Sequence, residues 1–251
     1  MLSGPTVDLN CDMGEGMTTD EAIYPFISSA NIACGGHAGD SDTMRRAVDA
    51  ALQHGVAIGA HPSYPDRAGF GRTELPHLRL DELPEILTAQ LEELQAVCRE
   101  FGTALHHIKP HGALYNRAAR DPVVGEIICR VIAGFDPSLL LYGLSGSVLE
   151  RQAQDFGLVF VSEVFADRTY QPDGSLTPRT EPNALIEDPA QAVAQVLRML
   201  RHGIVETVEG PVAIVAETVC LHGDGCNAVE FAGAIHAALR REGMRVVARG
   251  H

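Results

Sequence analysis

Apolar positions along the chain alternate between two rhythms. Short apolar runs at 6–11, 30–34, 56–60, 104–109, 139–143, 159–164 and 218–221 read as strands. Longer stretches at 40–54, 83–101, 122–133, 146–156, 189–202 and 228–242 repeat apolar residues every three or four positions, the spacing of a helix with one buried stripe. Glycine just past a helix marks several ends, as in QHGVAIGAH, DFGLVF and REGMRVV. Strands alternating with helices, with no linker, predict a parallel sheet wrapped by helices, in one domain over residues 1–251. Two segments break the rhythm. TVEGPVAIVAET predicts a small antiparallel hairpin near 204–217, turning at Glu209-Gly210-Pro211. ADRTYQPDGSLTPRTEPNA is long, polar and rich in turn residues, and reads as a functional loop or lid.

Charge and composition narrow the field. A net charge of −14 repels phosphate backbones, and no basic patch stands out, so a nucleic-acid partner is not expected. No apolar run is long enough to span a bilayer, so no membrane segment is expected. Six cysteines without CxxC spacing suit reduced thiols, and the N-terminal MLSGPTVDLNCD lacks a secretion pattern. A cytoplasmic location is the expectation. The chain has no GxxxxGK[ST] phosphate loop, no GxGxxG fingerprint and no GxSxG elbow. One detail of composition stands out: Lys109, in LHHIKPHGALYN, is the single lysine, and every other basic side chain among the nineteen Lys and Arg is arginine.

Nearly every predicted strand ends in residues capable of chemistry. In a parallel barrel those ends share one face, so distant motifs would converge there. DLNCDMGEG supplies Asn10, Asp12 and Glu15 after Asp8; the acids suit a metal or proton transfer, or one of them caps a turn. NIACGGHAGD supplies His37 behind two glycines, in a ligand approach or a tight turn, with Asp40 as a helix cap. GAHPSYPDRAGFGR supplies His61, where a core histidine is the plainer reading, with Arg67 and Arg72 as anion clamps. HHIKPHGALYN supplies His111, Tyr115 and Lys109; alternation puts His107 and Lys109 on one face and His106 on the other. A partly buried lysine can act as a base or steady an oxyanion, whereas a surface lysine would do neither. SEVFADR adds Glu163, Asp167 and Arg168, and ETVCLHGD adds His222 and Asp224, where an ion pair and a helix cap are the plainer readings.

In this order, VDLNCDMGEG, NIACGGHAGD, GAHPSYPDRAGFGR, IKPHGALYN, EVFADRTYQPDGSLTPR and HGD make the sequence resemble the LamB/YcsF family, whose members serve as the A subunit of 5-oxoprolinase. The likeness runs from about Val7 into the last helix; its least typical piece is HGDGCNAVEFA, with Gly225-Cys226 in place of Thr-Pro. The resemblance implies an α/β fold, a distorted seven-stranded β/α barrel of the glycoside hydrolase/deacetylase type. It implies ATP-dependent opening of 5-oxo-L-proline to L-glutamate, with the 5-oxoprolinase B and C subunits as partners that bind ATP and phosphorylate the lactam. Asp12, His37, His61, Lys109 and His111 would be catalytic. Asn10, Arg67, Arg72, Tyr115, Glu163, Arg168 and His222 would hold the substrate. Barrel deacetylases bind a divalent metal through one Asp and two His, which here match Asp12, His61 and His111; the ammonium of Lys109 counts against a cation so close. Two other readings stay open: a stand-alone metal-dependent amidase or deacetylase, and a non-catalytic regulatory subunit.

Overall fold

The computed structural model describes residues 4–222 and 228–250. Seven parallel strands close a barrel in the order β1 (Thr6–Met13), β2 (Ser29–Ala33), β3 (Ala57–His61), β4 (His107–Ile108), β5 (Leu140–Leu144), β6 (Phe160–Phe165) and β9 (Thr218–Leu221). The last of these pairs back onto β1. The expected seven-stranded α/β barrel is the fold observed. Between β6 and β9 an antiparallel hairpin, β7 (Ile204–Thr207) and β8 (Gly210–Ala213), forms its own two-stranded sheet. A short strand, β10 (Arg245–Val246), adds to the lower end of β1.

Helices cover the barrel: α1 (Asp20–Ile23), α2 (Ser41–His54), α3 (Leu83–Glu100), α4 (Gly112–Ala118), α5 (Pro122–Phe135), α6 (Val148–Asp155), α7 (Pro189–His202) and α8 (Ala228–Arg241). Local chemistry sets their ends. Asp40 accepts from the backbone N–H of Thr43 and closes a capping box at the start of α2, as expected. Gly55, with φ of 67°, ends that helix in the left-handed conformation. Asp121 and Asp188 cap α5 and α7, each followed by a proline at the first helical position. The buried faces, such as Met44, Ala47, Val48 and Ala51 on α2, join one continuous apolar layer outside the strands.

Inside the barrel the filling is polar. β1 turns Asp8, Asn10 and Asp12 inward, β2 turns Ser29 and Asn31, and β4 turns His107 and Lys109. Asp8 lies at the lower end, where Ser28, Ser29 and Thr218 donate hydroxyls to it at 2.6–2.7 Å. His107 stacks on Tyr142 and donates to Asn31 at 2.8 Å. Gly59 leaves the room for that ring: a Cβ there would lie 2.1 Å from His107 Nε2. His106 points outward, to the carbonyl of Arg249 at 2.8 Å. Alternation along the fourth strand therefore holds, although the strand is much shorter than the run 104–109 suggested, because Pro110 carries no N–H and His111 is already the residue before α4.

Candidate active site

Lys109 stands at the top of the barrel interior, 2% exposed. Its Nζ lies 2.9 Å from Asp12 Oδ1, 3.0 Å from Glu163 Oε1, 3.0 Å from Cys220 Sγ and 3.3 Å from Asn10 Oδ1. Phe165 covers it, with the ring centroid 5.4 Å away. Burial works against charge here, but Asp12, Cys220 and Glu163 outweigh it and hold the ammonium well above the usual lysine range. Burial likewise opposes ionisation of Asp12, yet His61 and Lys109 hold its carboxyl well below the usual range. Asp12 and Lys109 are thus a charged pair, further tied by Asn31, which donates to Asp12 Oδ1 at 2.8 Å. Asp12, Cys220 and His222 offer one ligand atom each within 4.8 Å, and the cation among them is the Lys109 ammonium itself.

Beside this pair, acceptor atoms converge. His61 Nδ1 donates to the carbonyl of Lys109 at 2.7 Å, and His111 Nε2 donates to the carbonyl of Phe70 at 2.9 Å. A carbonyl only accepts, so His61 Nδ1 and His111 Nε2 carry protons, and in the neutral rings the lone pairs fall on His61 Nε2 and His111 Nδ1. Those nitrogens lie 2.9 Å apart. Asp12 Oδ2 is 3.2 Å from the first and Glu15 Oε1 is 3.4 Å from the second. Lone pairs do not crowd this closely without a positive charge among them. Burial, with His61 and His37 adding to it, pushes His111 well below the usual histidine range, which disfavours a proton in that role. His37 stacks face to face on His111, centroids 3.6 Å apart, and its Nε2 meets Glu15 Oε1 at 2.9 Å. Glu15, His37, His61 and His111 each offer a ligand atom within 4.8 Å of one another, Asp12 Oδ2 joins them 3.2 Å from His61, and with backbone carbonyls behind His61 and His111 the set fits a divalent cation. Lys109 does not stand against it, because Asp12 and Glu163 flank its charge.

The cluster opens into a cavity of about 1320 Å³. Arg72, Tyr115, Arg168 and His222 line it with Asp12, His61, Lys109 and His111. Arg168 is buried, its Nε and Nη2 donating to the carbonyls of Ala184 and Thr177. Burial, then the nearby Arg179, pulls its pKa down to about 10. Glu163 and Asn10 lie behind Lys109 in the barrel wall, so their contact is with the lysine and not with the cavity. Arg67 is a correction. Its Nη1 donates to the carbonyls of Gly35 and Gly39 at 3.0 and 2.9 Å, so it braces the His37 loop and lines no part of the cavity. Asp8 is a correction too: it does not share the strand end with Asp12 but sits deep among hydroxyls. Asp224 lies outside the described residues.

The loop between β6 and α7 forms the cavity wall and is braced as fixed structure. Gln195 on α7 donates to the carbonyls of Phe165, Ala166 and Arg168. Thr169 and Thr177 join across the loop at 2.8 Å, and Arg168–Leu185 and Tyr170–Leu176 form antiparallel bridges. It is a wall more than a lid. Sequence reasoning left Asn31, Phe165 and Cys220 out of the site. The signal available was alternation: each is on a strand and lies two residues from another inward position, Ser29, Glu163 or Thr218.

Comparison with known proteins bears on the family and the fold. The LamB/YcsF family model matches residues 7–250. The A subunit of 5-oxoprolinase from Bordetella pertussis is 51% identical over 250 residues, covering 97% of this chain and 99% of the relative. That of Brevibacillus brevis is 49% identical, covering 97% and 98%. Among solved structures, the lactam utilization protein of Thermus thermophilus superposes with a TM-score of 0.89 at 42% identity, over 97% of this chain and 99% of that one. A polysaccharide deacetylase from Bacillus cereus, 13% identical with a TM-score of 0.53 over 98% and 93%, shares the fold. By motif, fold and full-length identity, the chain belongs to the LamB/YcsF family.

Proposed function

We propose that this chain is the lactam-cleaving component, the A subunit, of an ATP-dependent 5-oxoprolinase that converts 5-oxo-L-proline to L-glutamate. The observation that carries the reading is the buried Lys109 ammonium, fixed between Asp12 and Glu163 at the cavity floor beside His61 and His111. A five-membered lactam is a poor electrophile. ATP would be spent on the partner B and C subunits to activate its oxygen, which agrees with a chain that carries no phosphate loop. Asp12 then holds the attacking water against the ring carbon and accepts its proton. Lys109, already charged and immobile, faces the oxygen where negative charge develops and needs no rearrangement to stabilise it. Arg72 and Arg168 on the cavity wall bind the substrate carboxylate. A divalent ion held by Asp12, Glu15, His61 and His111 would supply Lewis acidity to that water.

The test is glutamate release from 5-oxoproline and ATP by the purified chain with and without its two partner chains. Release is expected only with all three. Full-rate release by the chain alone contradicts the division of labour, and no release even with the partners removes the function. The acceptor cluster also favours a second reading, a stand-alone metal-dependent amidase or deacetylase. Under that reading, hydrolysis of a small amide by the isolated chain would require added metal and no ATP.

A further inference from the structure

Opening the ring also requires a proton on the departing nitrogen, because an amide nitrogen leaves as a very strong base unless it is protonated while the bond breaks. Asp12 is occupied with the water, and Lys109 is locked among four acceptors. One titratable pair bordering the cavity has no part in the steps above. Asp167 follows β6, and His222 follows β9, the strand next to it in the barrel. Both Asp167 oxygens reach His222 Nδ1, at 3.0 and 2.9 Å, and Oδ2 also accepts from the His222 backbone N–H at 3.2 Å. Burial opposes charge on Asp167, but His222, then Arg179 and Arg168, hold its carboxyl below the usual range. A carboxylate on that side fixes the Nδ1–H tautomer and leaves Nε2 to exchange a proton with a ligand. Phe165, stacked on the ring at 5.7 Å and 21°, sets its plane. His222 lines the cavity while Asp167 stands behind it. Strand order puts Asp12 on β1 between His61 on β3 and His222 after β9, so the two imidazoles flank the point of attack.

We propose that His222 hands its Nε2 proton to the lactam nitrogen as the ring opens, with Asp167 as its positioning residue; this rests on the lactam-cleaving reading. Written for the lactam with its oxygen phosphorylated, the water oxygen bonds to the ring carbon as Asp12 accepts one water proton and the carbon–nitrogen π pair returns to nitrogen. The carbon–nitrogen bond then breaks, its electron pair stays on nitrogen, and the new hydroxyl closes to a carbonyl as it loses its proton to solvent. The nitrogen takes the His222 proton and becomes the amino group, and a second water displaces phosphate from the acyl phosphate to give glutamate. His222, left neutral with Nδ1–H still on Asp167, regains its proton from solvent, to which Asp12 returns the one it took.

The experiment compares 5-oxoproline with its thiolactone counterpart, in which sulfur replaces the ring nitrogen and leaves as a thiolate that needs no proton. Both are assayed with the chain in complex with its partners. His222→Gln is expected to lose about 10²–10⁴-fold in kcat on the lactam with KM little changed, yet to stay within about threefold of wild type on the thiolactone. Asp167→Asn, which favours the other tautomer, should show the same split. Equal losses on both substrates in both variants overturn the proposal while leaving the lactam-cleaving reading intact. If the wild-type complex opens the lactam but refuses the thiolactone, rescue of His222→Ala by added imidazole decides: recovery supports the proton transfer and its absence overturns it. A wild-type complex that opens neither ring takes down the reading and the proposal together.

Discussion

Lys109 keeps its charge where burial alone would strip it, because Asp12 and Glu163 flank it at about 3 Å. Removing the ammonium therefore does two things. Lys109→Met takes away the group that faces the developing oxyanion, so glutamate release by the assembled enzyme should fall about 10²–10³-fold. It also leaves two buried carboxylates without their counter-charge, so the thermal midpoint of the variant should drop, by an amount on the order of 3–5 kcal/mol of stability. Unchanged release would mean that Lys109 only holds the barrel together. Asp20 offers a cleaner pH test. Burial pushes its carboxyl up to about 6, although the Gly14 N–H bonded to Oδ2 pulls the other way, and Oδ1 has no hydrogen-bond partner. The folded state then binds this proton more tightly than the unfolded chain, so the contribution is present at low pH and is lost as pH rises from about 4 through 6. Asp20→Asn should flatten that slope in a denaturant titration and add about 1 kcal/mol at neutral pH, a figure reduced for solvent screening of a partly exposed group. An unaltered pH profile in the variant would contradict the assignment.

Elements bring these residues together, and they differ in how far sequence reveals them. The strand ends were legible because inward alternation is a period-two signal that survives uncertain boundaries: His61, Lys109 and His222 all mark the upper face. Helix α4 was not, since Gly112–Ala118 is short and follows a Lys-Pro-His stretch that carries no apolar period. Arg67 was misplaced because an arginine near a strand end suits an anion as well as it suits two backbone carbonyls, and only the path of the Gly35–Gly39 turn decides between them. Glu15 was legible as a residue, but not as a neighbour of His111, since that contact depends on how the loop after β1 folds back. The loop between β6 and α7 was legible as a long polar loop, whereas its rigidity comes from a helix residue, Gln195, whose three carbonyl partners sequence does not show. Gln195→Ala should free the wall: limited trypsin digestion is expected to cut at Arg179 several times faster, with kcat reduced and the thermal midpoint shifted by only about 1 kcal/mol. A digestion rate equal to that of the parent chain would show that the threonine bridge is enough.

At the scale of the whole molecule, the barrel is a polar column inside an apolar sleeve. Its interior carries Asp8, Asp12 and Glu163 with a single lysine, and the cation-seeking cluster at its mouth adds Glu15. Such a column gains from binding a cation in the folded state alone. Adding a divalent ion such as zinc or manganese to chelator-treated protein should raise the thermal midpoint by several degrees, as expected for ligand held well above its Kd. His61→Ala should abolish that rise. A midpoint indifferent to every divalent ion would mean that the converging lone pairs share a proton. Among the described residues, no helix is long and apolar enough to cross a membrane.

One pairing carries a practical corollary. β10 lies alongside the beginning of β1, with Thr6 opposite Arg245 and Val7 opposite Val246, so the first and last strands meet at the foot of the barrel. The cavity and its cluster of acids and imidazoles stand at the other end of the same strand, beyond Asn10, roughly 25 Å away for an eight-residue strand. An affinity tag, a fluorophore or a surface tether attached at either terminus therefore leaves the working face unobstructed. A circularly permuted chain could bridge this foot with a short linker and open elsewhere, for example in the exposed turn at Gly102 between α3 and β4, away from the cavity lining.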